Sequence, residues 1–326
     1  MFIGVDVGGT HMRAALVDAR QTVLASRKVA TQAELGPEQV SRRLAELCRE
    51  LMRTAGDKGG HVSAIGLGVA GRIDPAQGRV LFSPNLSTMN GCPFAFELRE
   101  QTRVPVYMEN DANVFGLGEQ WLRSERGPDN WLGVTLGTGV GGCLILGGRL
   151  WSGDHLGFSA EIGHTIVDPA GPECLCGLRG CLEAHSSARA LVQGVAAHIA
   201  RGDLTDGPLF ELFSAGMLTA EAVYQSAKQG NALALKLFER MGWALGLAIG
   251  NAFSLLGIGR AIIGGGVSAG WDLFIDPLHK SLREHCSMLG PEEMIVMLSE
   301  RPNEAALLGA ARLAQLMAGV DERNTC

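Results

Sequence analysis

Residues 3–18 read I-G-V-D-V-G-G-T-H-M-R-A-A-L-V-D, and residues 133–147 read G-V-T-L-G-T-G-V-G-G-C-L-I-L-G. Each is a pair of short apolar runs around a glycine-rich turn, the pattern of two strands joined by a hairpin. Laid over each other from Gly4 and Gly133, Val5 meets Val134, Asp6 meets Thr135, Gly8 meets Gly137 and Leu16 meets Ile145. A strand–turn–strand unit that recurs in this way implies a duplicated α/β domain.

Working outward, Val40, Leu44, Leu47 and Leu51 recur at helical spacing and predict a helix over 37–54. Strands are expected at 64–69 and 104–109, and a helix at 112–122. The polar run S-E-R-G-P-D-N at 124–130 reads as a linker. Further helices are expected at 187–201, 219–229 with Thr219 as N-cap, 232–256, and finally 304–317. A short strand at 260–263 runs into Gly264-Gly265-Gly266. The division expected is residues 1–122, completed by a C-terminal helix at about 304–318, and residues 123–303.

The chain has 326 residues and a net charge of −6 with no basic block, which argues against a nucleic-acid partner. Three of the eight cysteines cluster and the rest scatter, as in a reducing compartment. The opening M-F-I-G-V-D lacks the pattern of a secretory leader. The apolar run 243–259 carries Asn251 and Ser254 and is broken by glycine, so it reads as a buried helix rather than a membrane span. A cytoplasmic location is expected.

Three groups of residues carry chemistry. Asp6, Gly8, Gly9, Thr10 and Arg13 surround the first turn, and Gly137, Thr138, Gly139, Gly141 and Gly142 form the second. Such backbones admit phosphate oxygens, and two turns can clamp a polyphosphate, with Asp6 suited to Mg²⁺ held through water. Each alone is also an ordinary hairpin turn. Neither is a Walker loop or a dinucleotide fingerprint, because no G-K-[ST] follows and each turn leads into a strand. Gly265 and Gly266 either approach an adenine or ribose or make a tight strand–helix turn.

Second, E-N-D-A-N at 109–113 follows a strand, where open α/β sheets bind ligands. One polar residue there caps a helix; four among five suggest a site, with Asp111 as base and Asn110 as hydroxyl binder. Third, E-I-G-H at 161–164 and C-L-C-G-L-R-G-C-L-E at 174–183 supply His164, Cys174, Cys176 and Cys181. One nitrogen and three sulfurs suit a closed, structural Zn²⁺, which would hold Glu161 and Glu183 in place. A disulfide pair or free thiols are the alternatives, and three clustered thiols cannot all pair.

With G-V-A-G-R-I-D at 68–74, S-P-N-L at 83–86 and I-I-G-G-G-V-S at 262–268, these motifs occur in the order of a known family. The chain resembles the ROK (repressor, open reading frame, kinase) sugar kinases, within the actin and hexokinase superfamily, and among them the bacterial glucokinases. The resemblance implies two ribonuclease-H-like domains with a cleft between them that closes over sugar, and a homodimer. It implies ATP, Mg²⁺ and structural Zn²⁺, a hexose substrate phosphorylated at its 6-hydroxyl, and no nucleic acid or membrane partner. Asp111 would be the catalytic base, while Gly71, Asn85, Asn110, Glu161, His164 and Glu183 would hold the sugar. The sequence departs from the family pattern at Ala160, where many members have glycine. Sister enzymes acting on N-acetylglucosamine or N-acetylmannosamine share nearly every motif. A non-catalytic, sugar-sensing regulator would carry a DNA-binding element ahead of the first turn, and an actin-like ATPase would have no use for the cysteine cluster.

Overall fold

The structure, a computed structural model, describes residues 1–83, 86–123, 127–154 and 156–324. The chain forms two compact units, Met1–Asp129 with Cys143–Ala160 and Asn303–Cys326, and Asn130–Gly142 with Glu161–Pro302. The segment Cys143–Ala160 thus groups with the first unit, across the boundary expected at 122/123.

The first unit opens with strands β1 (Phe2–Val7), β2 (His11–Val17) and β3 (Val23–Ala30), then helix α1 (Pro37–Asp57) and strand β4 (Ala64–Val69). A small hairpin, β5 (Arg72–Asp74) and β6 (Arg79–Phe82), precedes α2 (Phe94–Thr102), β7 (Val106–Asn110) and α3 (Asp111–Leu122). The main sheet has the order β3-β2-β1-β4-β7. β1 runs antiparallel to β2 and parallel to β4, and β4 is parallel to β7. Every residue of β4 is buried, as a parallel strand covered on both faces requires. Alternation sends Ile3, Val5 and Leu16 into one core with Val40, Leu44 and Leu51 of α1. The opposite face sends Ala15 and Val17 against Leu307, Leu308 and Ala311.

Those last residues belong to α10 (Ala305–Asn324), the final helix of the chain. Gly4 and Gly66 pair in register on neighbouring strands. A Cβ on Gly4 would fall on the Leu307 carbonyl, and one on Gly66 on the Ala310 carbonyl. The two glycines are therefore the flat floor that lets α10 lie on the sheet. The sequence placed this helix correctly, but not the glycines that seat it.

The remaining elements are β8 (Trp131–Leu136), β9 (Val140–Leu146), β10 (Arg149–Leu150), α4 (Glu183–Ser186), α5 (Ala188–Ala200), α6 (Pro208–Ser214), α7 (Ala220–Lys228), α8 (Ala232–Leu256), β11 (Arg260–Gly264), α9 (Trp271–His285) and β12 (Ile295–Leu298). The second sheet has the order β10-β9-β8-β11-β12, with β11 parallel to both β8 and β12. The duplication read from the two glycine turns is thus present as two sheets, each opening on a glycine-turn hairpin. Asn231 caps α8 through an acceptor contact from the Ala234 N–H at 3.0 Å, and Gly257 ends it in the left-handed region at φ 64°. Thr219 caps α7 in the same way, accepting from the Ala222 N–H. Among the described residues no helix is long and apolar enough to cross a membrane.

Candidate active site

In the first unit, the β1–β2 turn is held by its own strands. Asp6 and Arg13 face each other across the pair, and Oδ2 of Asp6 accepts both Nε and Nη2 of Arg13, at 3.1 and 2.5 Å. Arg13 also donates to the Asn303 carbonyl at 3.0 Å. Thr31, just past β3, donates its hydroxyl to the Gly8 carbonyl at 2.6 Å and its N–H to the Thr10 carbonyl at 2.9 Å. Arg13, expected beside the nucleotide, is here the partner of Asp6.

At the carboxyl end of β7 the capping reading finds its residue. Asn110 is the N-cap of α3: its Oδ1 accepts from the N–H groups of Ala112 and Asn113 at 2.9 and 3.2 Å, and its Nδ2 donates to the Gly71 carbonyl at 3.0 Å. Asp111, the first residue of the helix, is half-buried and accepts from the Ala112 N–H at 2.9 Å. Glu109 lies beneath them, where burial pushes its carboxyl up against the opposing hydrogen bonds from the Asn110 N–H and Asn113 Nδ2. A carboxylate at a helix N-terminus, on a rigid strand end, is held in place with its charge favoured by the helix dipole. Gly71 has φ 118°, and a Cβ there would strike the Phe82 carbonyl. Asn85 lies outside the described residues.

In the second unit, the ligand atoms of His164, Cys174, Cys176 and Cys181 all lie within 4.8 Å of one another. His164 Nδ1 is 3.8 Å from Cys174 Sγ, and Cys176 Sγ is 3.6 Å from Cys181 Sγ. Donors bound at ~2.3 Å around a tetrahedral centre are roughly 3.7 Å apart, so this donor set fits Zn²⁺. Burial and the two neighbouring thiols push the Cys181 thiol up to about 12. Displacing protons from such a group is work that a cation does on binding. None of the seven cysteines among the described residues is in a disulfide. Burial raises the Glu161 carboxyl, with His164 acting against this and Glu183 adding to it.

Immediately before Glu161, Ala160 has φ 52°, in the left-handed region that glycine favours. This departure from the family pattern therefore falls where the backbone adopts a conformation that glycine favours.

The second glycine turn is braced from outside its own strands. The Gly137 carbonyl accepts from the Ala188 N–H at 2.9 Å. Glu183 Oε2 accepts from the Val140 N–H at 3.0 Å. Glu183, expected to face a sugar hydroxyl, thus touches the turn expected to face phosphate. Gly265, at φ 87°, has no room for a Cβ beside the Leu136 carbonyl, so its glycine serves packing. Gly266 lines a cavity of about 320 Å³ together with Gly137, Thr138, Leu191, Tyr224 and Phe238. Tyr224 and Phe238 meet edge to face at 6.1 Å. The sequence reading missed these apolar walls, because Leu191, Tyr224 and Phe238 look like ordinary core positions of α5, α7 and α8.

A model of the ROK family matches residues 2–316. The glucokinase of Thermotoga maritima is 35% identical over 323 residues, covering 95% of this chain and 96% of its own. The N-acetylmannosamine kinase of Escherichia fergusonii is 28% identical over 317 residues, covering 96% and 98%. A ROK family glucokinase from Streptomyces griseus, solved in complex with glucose and AMPPNP, is 32% identical with a TM-score of 0.79, covering 97% of this chain and 99% of that one. Matched from its first strand into its last helix, the chain belongs to the ROK family.

Proposed function

We propose that this chain transfers the terminal phosphoryl group of ATP to the 6-hydroxyl of glucose. The observation that carries this reading is the cavity beside the second glycine turn: a backbone that admits phosphate opens into an apolar chamber of about 320 Å³, within the range of small-molecule sites. Likeness to a kinase solved with glucose and a nucleotide analogue supports the same pairing of substrates.

In this reading the base of the nucleotide lies against Tyr224, Phe238 and Leu191, and its phosphates lie against Gly137, Thr138 and Gly139. The first turn, Gly8, Gly9 and Thr10, supplies further N–H and hydroxyl donors to developing phosphoryl charge. Asp6 has one oxygen outside its Arg13 pair, which suits contact with hydrated Mg²⁺. Asp111 orients the sugar hydroxyl and accepts its proton as the bond to phosphorus forms. Glu161 and His164 bind sugar hydroxyls, and discrimination follows because a missing hydroxyl leaves the half-buried Glu161 carboxylate unpaired. Zn²⁺ on the cysteine–histidine set would fix the ring of His164, so that its other nitrogen donates in a set direction. A homodimer, checked by light scattering, and a cytoplasmic location, checked by cell fractionation, complete the reading.

A coupled assay of ADP formation with glucose, mannose, fructose, N-acetylglucosamine and N-acetylmannosamine tests it. Glucose should exceed N-acetylglucosamine in kcat/KM by about tenfold or more, equivalent to ~1.4 kcal/mol. No ADP above background with any sugar would overturn the kinase reading, while comparable values for the two would move the assignment to the sister enzymes.

A further inference from the structure

Glu183 opens α4, two residues after the last cysteine of the metal set. Its side chain is 16% exposed, and both oxygens are engaged. Oε2 accepts the Val140 N–H at 3.0 Å, and a Cβ on Gly139 would fall on that oxygen. Oε1 stands 3.9 Å from Cys174 Sγ and 4.0 Å from Nη1 of Arg189. Val140 is the residue at which the Gly137–Gly139 turn enters β9. The carboxylate therefore fills the space that glycine leaves at 139, with the cysteine cluster on its other side.

A turn of two glycines and a threonine has more backbone freedom than a phosphate site can tolerate, since its N–H groups must point one way to be useful. A charge-assisted hydrogen bond at its exit removes much of that freedom. We propose that Glu183 is a positioning residue for the nucleotide. It ties the phosphate-facing turn to the metal-bearing segment, so that integrity of the cysteine–histidine set is felt as nucleotide affinity. This rests on the kinase reading and deepens it: one residue of the zinc segment serves the donor substrate rather than the sugar alone.

The test measures ADP affinity by calorimetry without sugar, and amide exchange of the peptide covering 134–142, in the zinc-loaded full chain. Glu183→Ala should weaken ADP by about tenfold and speed exchange at the turn, whereas Glu183→Gln, whose carbonyl oxygen still accepts from Val140, should stay within about threefold. If both variants lose glucose affinity while ADP affinity and exchange stay at wild-type values, Glu183 is a sugar ligand only and the proposal falls. Metal content is measured alongside. Should Glu183→Ala lose zinc, Gly139→Ala displaces the same carboxylate with the ligands intact. It should reproduce the loss, and combining it with Glu183→Ala should add nothing; a multiplied loss would overturn the coupling. A wild-type chain that binds no nucleotide overturns the kinase reading, and the exchange comparison still decides whether Glu183 holds the turn.

Discussion

The two glycine turns share a pattern and differ in what holds them. In the first, Asp6 and Arg13 bridge the strands of the turn, and Thr31 closes it from just past the next strand. In the second, Thr135 and Gly142 stand where Asp6 and Arg13 stand in the first, and no such bridge can form. The brace comes instead from Glu183 and Ala188, more than forty residues along the chain. Thr10 of the first turn corresponds to Gly139 of the second, where a side chain would collide with the Glu183 carboxylate. Duplication kept the turn and relocated its support. The first turn is held mainly by its own strands and the residue that follows β3, whereas the second leans on the segment that carries the cysteine–histidine set.

If that contrast is right, chemistry and folding separate in the first unit. Asp111→Asn should lower kcat by roughly 10²–10⁴-fold and leave Tm near wild type, because asparagine still accepts the Ala112 N–H. A fall in Tm comparable to that of a core variant would show that Asp111 is needed for the fold itself. In the second unit the two should not separate. Cys181→Ser, at a fully buried thiol, should cost about 4 kcal/mol, or roughly 10 °C in Tm, and weaken ADP binding in the same preparation. Stability lost with ADP affinity intact would break the comparison.

The second unit should also be the more acid-sensitive. Burial first, then Arg240, holds the His185 imidazole down to about 4 from its usual 6.5, with Asp168 pulling the other way. Its Nδ1 faces Nε of Arg240 at 3.4 Å. The folded state keeps this ring neutral while the unfolded chain binds a proton near pH 6.5. Stability is therefore lost as pH falls from about 6.5 to about 4, by up to ~3 kcal/mol, with no further loss from this group below that. Denaturant unfolding at pH 7 and pH 5 measures it, and His185→Leu should flatten the slope; an unchanged slope would assign the acid loss elsewhere.

The smallest effect concerns Ala160. A left-handed alanine costs about 1 kcal/mol, partly offset by the extra freedom that glycine gives the unfolded chain. Ala160→Gly should stabilise by less than ~1 kcal/mol without changing kcat. Destabilisation would mean the methyl contributes packing that outweighs its strain.

What could be read from the sequence follows the range of the interactions. The glycine turns, the amphipathic α1 and the long α8 announce themselves through patterns a few residues wide. So does the donor set, because spacing and residue type are enough to suggest a tetrahedral ion. β3 escaped because its residues, Val23 to Ala30, none of them buried, include Ser26, Arg27 and Lys28 and show no clean alternation. α9 escaped behind Pro277, which sits inside a helix that the local rule would break. In the site, Asn110 and Glu183 were read by residue type. Their partners, the Gly71 carbonyl and the Val140 N–H, are backbone groups that only the folded chain brings to them. The walls of the cavity were invisible for the opposite reason, since apolar residues on helices look alike whether they face a core or a ligand.

The seating of α10 on Gly4 and Gly66 also fixes an order of events during synthesis. The sheet that carries the first turn is translated before the second unit, and the helix that covers one of its faces after it. At ~5–20 residues per second, the ribosome leaves that face open for roughly ten seconds or longer, while the entire second unit emerges and can fold. Until then Ala15 and Val17 lack the helix that buries them. A circular permutant that begins at Asn303, so that α10 precedes β1, should refold with less aggregation than the natural order of the chain.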